Sequence, residues 1–291
     1  MIRAAVLVPA PDYEEPWNWA YDIEARALEA CGLLVEPRHW NDAGDLSRFD
    51  VVLPLVAWGY QCDPAAWFAL LDRLERERRN VLNPVPVLRW NSDKTYLVAL
   101  GEGGVPTIPT LRFDAFDEEG LAEARRAFGD HIVIKPPISA SAYGTHRFGP
   151  HDSIPCEVAG RAMMAQPFLR SVMDEGEYSL MFFEGVFSHA IVKRAAPGDY
   201  RVQPHLGGRE QPCEAPAGAR EVAAAALAAA PMPPNYARVD LIRLGDGSLA
   251  VIELELIEPS LWLQHAPDQG HSFAAAIRSR AVKQPLAKRG G

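Results

Sequence analysis

The stretch ARVDLIRLGDGSLAVIELELIEPS, residues Ala237–Ser260, alternates apolar and polar side chains on both sides of Asp246-Gly247. A period of two is a strand signal, and Asp-Gly favours a two-residue turn of type I′. The stretch therefore reads as a β-hairpin. A two-residue turn there sets the register: Asp240 faces Glu253, and Arg238 faces Glu255. Residues two apart share a face, so Asp240, Glu253 and Glu255 gather on one side. Three carboxylates so placed repel one another and resist losing water. Mg²⁺, a hard cation that takes oxygen ligands, relieves both problems. The competing reading is a solvated acidic face. Val251, Ile252, Leu254, Leu256 and Ile257 weigh against it, because they make the second strand read as buried on both sides.

Outward from the hairpin, the whole chain narrows the function classes. Its 291 residues suffice for two domains, or for three small lobes around one cleft. Lys and Arg total 29 against 38 Asp and Glu, a net charge of −9. Apart from Lys283, Lys288 and Arg289 near the end, there is no basic run. That argues against nucleic acid or an anionic membrane as the main partner. Cys31, Cys62, Cys156 and Cys213 are widely scattered, without metal-ligand spacing. They read as free thiols of a cytoplasmic protein. The apolar run Ala4 to Val8 reads as a first strand rather than a targeting segment, and no stretch is long and apolar enough to span a membrane.

The first part alternates strand and helix. A strand at Ala4 to Val8 precedes a helix from Tyr21 to Ala30, and a second strand covers Asp50 to Leu55. Asp63-Pro64 then opens a helix with Trp67, Leu70, Leu71 and Leu74 on one face. This predicts a small parallel α/β domain over residues 1–84. Further on, Ser92 is expected to cap a helix from Asp93 to Leu100. Asp117, Glu118 and Glu119 open another helix, ending near Phe128. His131 to Lys135 and Met163 to Phe168 read as strands, with an irregular stretch from Pro136 to Phe148. Tyr178 to Phe183 and Val186 to Val192 form a hairpin about Glu184-Gly185. Ala217 to Ala230 is a helix of small residues. Residues beyond Gln284 read as a disordered tail.

Several cationic positions are spaced to meet phosphate. Lys135 ends a strand beside the small-residue loop Ser139 to Thr145, where backbone N–H groups can approach an anion. The loop lacks the GxxxxGK[ST] pattern of a P-loop. Lys94 is expected in a first helical turn, where a phosphate is well placed. A solvated lysine is the bland alternative for each. Lys193, Arg194 and Arg201 surround the loop Ala195 to Tyr200, which reads either as a basic loop over polyphosphate or as a surface loop with ordinary ion pairs. Gln166-Pro167-Phe168-Leu169 ends a strand and offers carbonyl and N–H groups to a flat ring, or is simply a strand end. Trp17, Trp19, Trp58 and Tyr60 are candidate pocket aromatics or packing residues.

In this order the pieces resemble the ATP-grasp superfamily, over roughly Asn83 to Leu263. The motifs are NSDKTYL around Lys94, VIKP around Lys135, AQPFL around Gln166, EYSL around Glu177, KRAAPGDYRVQ around Arg201, ARVDLI around Asp240 and IELELIEPS around Glu253. They look most like the carboxylate–amine ligases of the glutathione synthetase, ribosomal-protein glutamate ligase and D-alanine–D-alanine ligase branches. The resemblance implies an α/β N-terminal domain, then a two-lobed α+β ATP-grasp part with lobes at 85–165 and 166–284 and a tail at 285–291. It implies that Lys94 and Lys135 hold ATP phosphates under a cover of Ser139, Ser141, Tyr143 and Gly144. Gln166, Phe168 and Leu169 would meet adenine, and Glu177 the ribose. Arg201, with Lys193 or Arg194, would meet the γ-phosphate. Asp240, Glu253 and Glu255 would carry Mg²⁺, and Arg238 would steady the reacting centre.

The sequence departs from the family in three places. Glu255 stands where asparagine is frequent, Gln166 replaces a frequent glutamate, and the phosphate loop is poor in glycine. A longer bend before Glu177 makes Asp174 or Glu175 alternatives for the ribose. The expected activity is ATP-dependent joining of a small-molecule carboxylate to an amine through an acyl phosphate, by a homodimer as among the relatives. The alternatives are a small-molecule kinase, a peptide- or protein-modifying ligase, and a non-catalytic ATP-binding regulator.

Overall fold

The computed structural model describes residues 1–196 and 207–283. Arg201, and with it the centre of the basic loop, lies outside the described residues. Three sheets organise the chain. The first is parallel, with β1 (Ile2–Val8) between β2 (Leu33–His39) and β3 (Val51–Leu53). Helix α1 (Asn18–Ala30) connects β1 to β2. Helix α2 (Pro64–Arg76) follows β3; Asp63 caps it by accepting from the Ala66 N–H at 3.0 Å, and its buried face is Trp67, Leu70, Leu71 and Leu74, as the sequence predicts. Strand β2 escaped the sequence reading because Pro37 interrupts it. Proline is tolerated there because β2 is an edge strand.

Next come α3 (Val85–Asn91) and α4 (Tyr96–Glu102), and here the sequence reading needs correction. Ser92 does not open a helix. It ends α3, donating its hydroxyl to the Leu88 carbonyl at 2.8 Å, and α4 starts only at Tyr96. Lys94 thus sits in the turn between two short helices, not in a first helical turn. A four-stranded antiparallel sheet follows, in the order β4 (Leu111–Phe113), β7 (Met163–Pro167), β5 (Ile132–Lys135), β6 (His146–Phe148). Helix α5 (Glu118–Phe128), capped by Asp117, covers it. Strand β6 lies inside the stretch read as irregular.

The third sheet has five antiparallel strands: β10 (Arg209–Cys213), β9 (Val186–Arg194), β8 (Glu177–Phe183), β11 (Tyr236–Arg243) and β12 (Leu249–Glu255). The bend before β8 is the short helix α6 (Ser171–Asp174). Helix α7 (Ala219–Ala228) lays buried Ala219, Ala223 and Ala226 on this sheet, where small side chains permit close approach. Helix α8 (His271–Lys283) returns to α1. Its Phe273, Ala274 and Ile277 share a core with Leu28 of α1, Val6 of β1 and Phe183 of β8. One apolar core therefore joins the parallel sheet to the five-stranded one.

The β11–β12 hairpin reaches the predicted register by another route. Its turn is a three-residue loop, Gly245-Asp246-Gly247, not a two-residue one. The Gly247 N–H bonds the Leu244 carbonyl at 3.0 Å, and Gly247 takes a left-handed φ of 86°. That loop pairs Leu241 with Val251; a bulge at Ile252 then shifts the pairing by one. Asp240 consequently opposes Glu253 and Arg238 opposes Glu255. Loop and bulge each contribute one extra residue, and the two offsets cancel before the acidic residues.

Candidate active site

A cavity of about 440 Å³ lies between the four-stranded and five-stranded sheets and extends towards the loops of the parallel sheet. Its floor is a polar strip across the five-stranded sheet. Glu177 of β8 opposes Lys193 of β9, Ser179 of β8 opposes Asp240 of β11, and Asp240 opposes Glu253 of β12. Strand alternation turns all of these to one face. The carboxylates of Asp240, Glu253 and Glu255 converge, each offering an oxygen within 4.8 Å of the others. These are the residues that the hairpin sequence brings together.

Asp240 is 1% exposed and its oxygens are fully engaged. Oδ1 accepts from Ser179 Oγ at 2.6 Å and Arg238 Nε at 2.9 Å; Oδ2 accepts from Lys193 Nζ at 2.7 Å and Arg238 Nη2 at 2.9 Å. Burial alone raises a carboxyl pKa, but Arg238 and Lys193 outweigh it and hold Asp240 well below the usual carboxylate range. Lys193 also pairs with Glu177 at 3.1 Å, and Arg238 with Glu255. Glu253 pairs with Lys94 at 2.8 Å. Burial would raise Glu253 too, yet the two lysines Lys94 and Lys135 lower it. Glu255 goes the other way: burial, only partly offset by Arg238, together with Glu253 and Asp240, pushes it up to about 7. The trio offers an all-oxygen donor set of converging carboxylates. This fits a hard divalent cation such as Mg²⁺ and disfavours a soft one.

On the opposite side, Lys135 ends β5 and lines the cavity without forming an ion pair to any described residue. Burial, reinforced by Lys94, lowers its pKa to about 8. A desolvated, unpaired lysine beside an open cavity is suited to an anionic guest. Ser139 and Ser141 line the same space. Tyr143 and Gly144 do not, and this corrects their assignment. Tyr143 is 52% exposed, its N–H donates to the Ala140 carbonyl, and Gly144 packs against Pro136. The reason is the loop's own tight turns, which place Ser141, Ala142 and Gly144 in left-handed conformations and aim its tip outward.

At the far end, Gln166, Phe168, Leu169, Val172, Ile242 and Ile252 form a largely apolar slot. Gln166 Nε2 is held by Thr110 Oγ1 at 3.0 Å. The Phe168 N–H is committed to the His131 carbonyl at 3.0 Å, so it is not available to a ring. Arg194 is a second correction. Consecutive strand residues face opposite ways; Lys193 enters the cavity, while Arg194 is exposed and reaches Gln211. Glu175 is also removed, by a bidentate pair with Arg243 at 2.8 and 2.9 Å. Asp174 closes α6 and is no part of the cavity wall, so Glu177 is the acidic residue that remains there.

Sequence reading missed the scaffold that fixes the acidic strand. β12 is an edge strand, and side chains complete its open edge. Asn91 donates to the Leu254 carbonyl at 2.6 Å and accepts from the Leu256 N–H at 2.8 Å, as a neighbouring strand would, so it brackets Glu255. The Tyr96 hydroxyl bonds both the N–H and the carbonyl of Leu254 at 2.8 and 3.0 Å. Asn83, fully buried, donates to the Leu256 and Tyr236 carbonyls at 2.8 and 2.9 Å. Satisfied backbone groups of this kind hold Glu253 and Glu255 in place. The reading also missed Glu258, which lines the cavity just beyond β12. Of the four candidate aromatics, Trp19 and Trp58 line the cavity, Tyr60 packs in the core against Trp67, and Trp17 packs on Tyr21.

The chain is similar to known proteins over nearly its whole length. A family profile for the N-terminal domain of the D-cycloserine synthetase DcsG matches residues 6–83. The cycloserine biosynthesis protein DcsG of Streptomyces lavendulae is 36% identical over 96% of this chain and 97% of its own length. The crystal structure of D-cycloserine synthetase DcsG superposes with a TM-score of 0.84 at 31% identity, covering 96% of this chain and 99% of that one. The D-alanine–D-alanine ligase of Bacillus anthracis complexed with ATP superposes with a TM-score of 0.66 at 16% identity, over 98% of this chain and all of that one, a likeness of fold.

Proposed function

The chain belongs to the ATP-grasp carboxylate–amine ligases, in the family of the cycloserine-forming enzyme, and from that premise we propose how its cavity performs the ligation. ATP lies between the two sheets. Its adenine occupies the slot of Gln166, Leu169, Val172, Ile242 and Ile252, with Phe168 contributing its carbonyl and ring rather than its N–H. Glu177 takes the ribose hydroxyls. Lys94, Lys135 and the backbone near Ser139 and Ser141 hold the phosphates. Lys193 and Arg238 stand beside the γ-phosphate, and Arg238 afterwards steadies the oxyanion of the tetrahedral intermediate. Glu253 and Glu255 would hold Mg²⁺. Asp240 would offer the third carboxylate of that site. Bound Mg²⁺ supplies charge neutralisation for the migrating phosphoryl group.

The substrate carboxylate attacks the γ-phosphorus in line, giving an acyl phosphate and ADP. An amine then attacks the acyl carbon, and phosphate leaves. The observation that carries this reading is that four cations (Lys94, Lys135, Lys193 and Arg238) line one cavity together with Glu253 and Glu255, whose carboxylates converge with that of the buried Asp240. Hydroxylamine tests it. With ATP, Mg²⁺ and a panel of small carboxylic acids, a hydroxamate is expected together with ADP. ADP released with a stable phosphorylated product and no hydroxamate would instead mark a kinase.

Lys135 gives this reading a pH signature. Its pKa in the folded protein is about 8, below the ordinary lysine value. The unfolded state therefore holds more protons between about 8 and the ordinary value near 10.4, and stability rises with pH across that window. Nucleotide binding works in the opposite direction, because a phosphate favours the charged lysine. Affinity for Mg–ADP is expected to be full below pH 8 and to fall above it, with proton uptake on binding near pH 8.5. Calorimetry in buffers of different ionisation enthalpy measures this. Lys135→Arg, charged throughout, is expected to remove both the uptake and the pH dependence.

A further inference from the structure

Three consecutive residues beyond β12 decide how Arg238 presents the end of its guanidinium. Its Nε and Nη2 are committed to Asp240 and Glu255. Among the described residues Nη1 has only a long contact, to the Ser260 carbonyl at 3.5 Å. The guanidinium carbon stands over the Trp262 ring, 5.0 Å from its centre. Ser260 and Trp262 therefore flank the part of Arg238 that the carboxylates leave open. Trp262 does so from a left-handed backbone, φ 43° and ψ 46°, which a bulky side chain keeps only where its surroundings impose it. The residue that imposes it is His189. Buried on β9, it shares a face with Ile191 and Lys193. Its Nε2 lies 3.0 Å from the Leu261 carbonyl, which belongs to the peptide entering Trp262, and its Nδ1 lies 3.0 Å from Ser188 Oγ. A carbonyl can only accept, so Nε2 carries the proton and Nδ1 accepts from the hydroxyl. Burial lowers the His189 pKa, which keeps the ring neutral at pH 7 and in that tautomer. The Leu261 side chain is buried in the core shared by the parallel and five-stranded sheets.

We propose that His189 is a positioning residue for the ligation: by holding the Leu261–Trp262 peptide it keeps the indole against Arg238 and aims Nη1 at the transferring phosphoryl group. The inference rests on the ligase reading and deepens it, by naming what orients one of its cations. Asp240 and Glu255 hold one edge of the guanidinium, and the face is left to Trp262. Without the His189 bond, Trp262 relaxes from its left-handed backbone to an ordinary one, and the indole moves off Arg238. The loosened guanidinium still attracts phosphate. It loses the preorganisation that favours the transition state over the ground state.

Fluoroaluminate, which together with Mg–ADP mimics the transferring phosphoryl group, tests this by calorimetry and without turnover. In the wild type it is expected to tighten Mg–ADP binding by at least about a hundredfold. His189→Leu is expected to bind Mg–ADP alone as the wild type does, and to lose at least about tenfold of the tightening. His189→Gln, whose amide N–H can reach the same carbonyl, is expected to retain most of it. Trp262→Leu removes the indole and leaves His189 in place; it is expected to lose the tightening too, and it carries the test if His189→Leu folds poorly. In turnover, the matching result is a lower kcat for His189→Leu at an unchanged KM for ATP. A loss in His189→Gln as large as in His189→Leu overturns the proposal. So does an equal loss of affinity for Mg–ADP alone, which marks a merely structural role. Tightening that survives in His189→Leu or in Trp262→Leu sinks the positioning role and leaves the ligase reading intact. Absence of tightening in the wild type sinks the phosphoryl site of that reading, and the positioning role with it.

Discussion

Asp240→Asn is expected to cut ATP-dependent ADP release by more than about a hundredfold, beyond the range for outer partners of a metal site. The two oxygens of Asp240 accept four hydrogen bonds, from Ser179, Lys193 and twice from Arg238. Asparagine keeps one oxygen. Whichever way its amide turns, the NH₂ faces either Lys193 Nζ and Arg238 Nη2, or Ser179 Oγ and Arg238 Nε. At least one buried cation then confronts a donor. Breaking a buried ion pair by removing one partner costs about 3 kcal/mol or more, so a lower melting temperature accompanies the lost activity. The fold is expected to survive, because Glu255 and Glu177 still face Arg238 and Lys193. ADP release and thermal unfolding, measured side by side, separate the two effects. Normal turnover in this variant would remove Asp240 from the site.

Gly176→Ala is expected to be the most damaging small substitution outside the charged cluster. Gly176 joins α6 to β8 with a φ of 98°, a conformation that side chains rarely adopt. An added Cβ would stand 2.3 Å from the Lys193 carbonyl oxygen and 3.1 Å from Arg194 Cγ. The clash is with strand backbone, which cannot turn aside. Relief requires β8 and β9 to part at Glu177 and Lys193, two residues of the proposed nucleotide site. Backbone strain and overpacking together are worth about 3 kcal/mol or more. A drop in melting temperature on the order of 5–10 °C follows, with weakened Mg–ADP binding. Gly245→Ala is the control. Nothing lies within 4 Å of its Cβ position, and its melting temperature is expected to stay close to that of the wild type. Equal melting temperatures for Gly176→Ala and the wild type would contradict the account.

The acidic strand was legible because sheet geometry is periodic. Alternation alone puts Glu253 beside Glu255, and Asp-Gly marks the turn. The turn type does not follow from alternation: Gly245 lengthens the loop to three residues, and only the bulge at Ile252 restores the pairing. Lysines were legible as residues but not as positions. Ser92 looks like a cap and so predicts a helix at Lys94, whereas its hydroxyl bonds backward to Leu88. Lys193 and Arg194 could not be told apart until the strand's facing was known. The scaffold of Asn83, Asn91 and Tyr96 carries no local signal. Those side chains act on backbone more than 150 residues away, at Leu254 and Leu256, and only the fold brings them there. Glu258 was hidden for the same reason, since the Trp58 that shapes its surroundings lies 200 residues earlier.

The claim on which the rest depends is that Glu253, Glu255 and Asp240 grip a divalent cation under the phosphates of a nucleotide. Mn²⁺, a paramagnetic stand-in for Mg²⁺, tests it directly. Its free-ion EPR signal is followed as the wild-type protein is added, with and without a non-hydrolysable ATP analogue, and again with Glu253→Gln. The account expects tight, nucleotide-dependent Mn²⁺ binding in the wild type and a loss of at least about tenfold in affinity in the variant. Mn²⁺ binding that ignores the nucleotide, or that survives unchanged in Glu253→Gln, would contradict it.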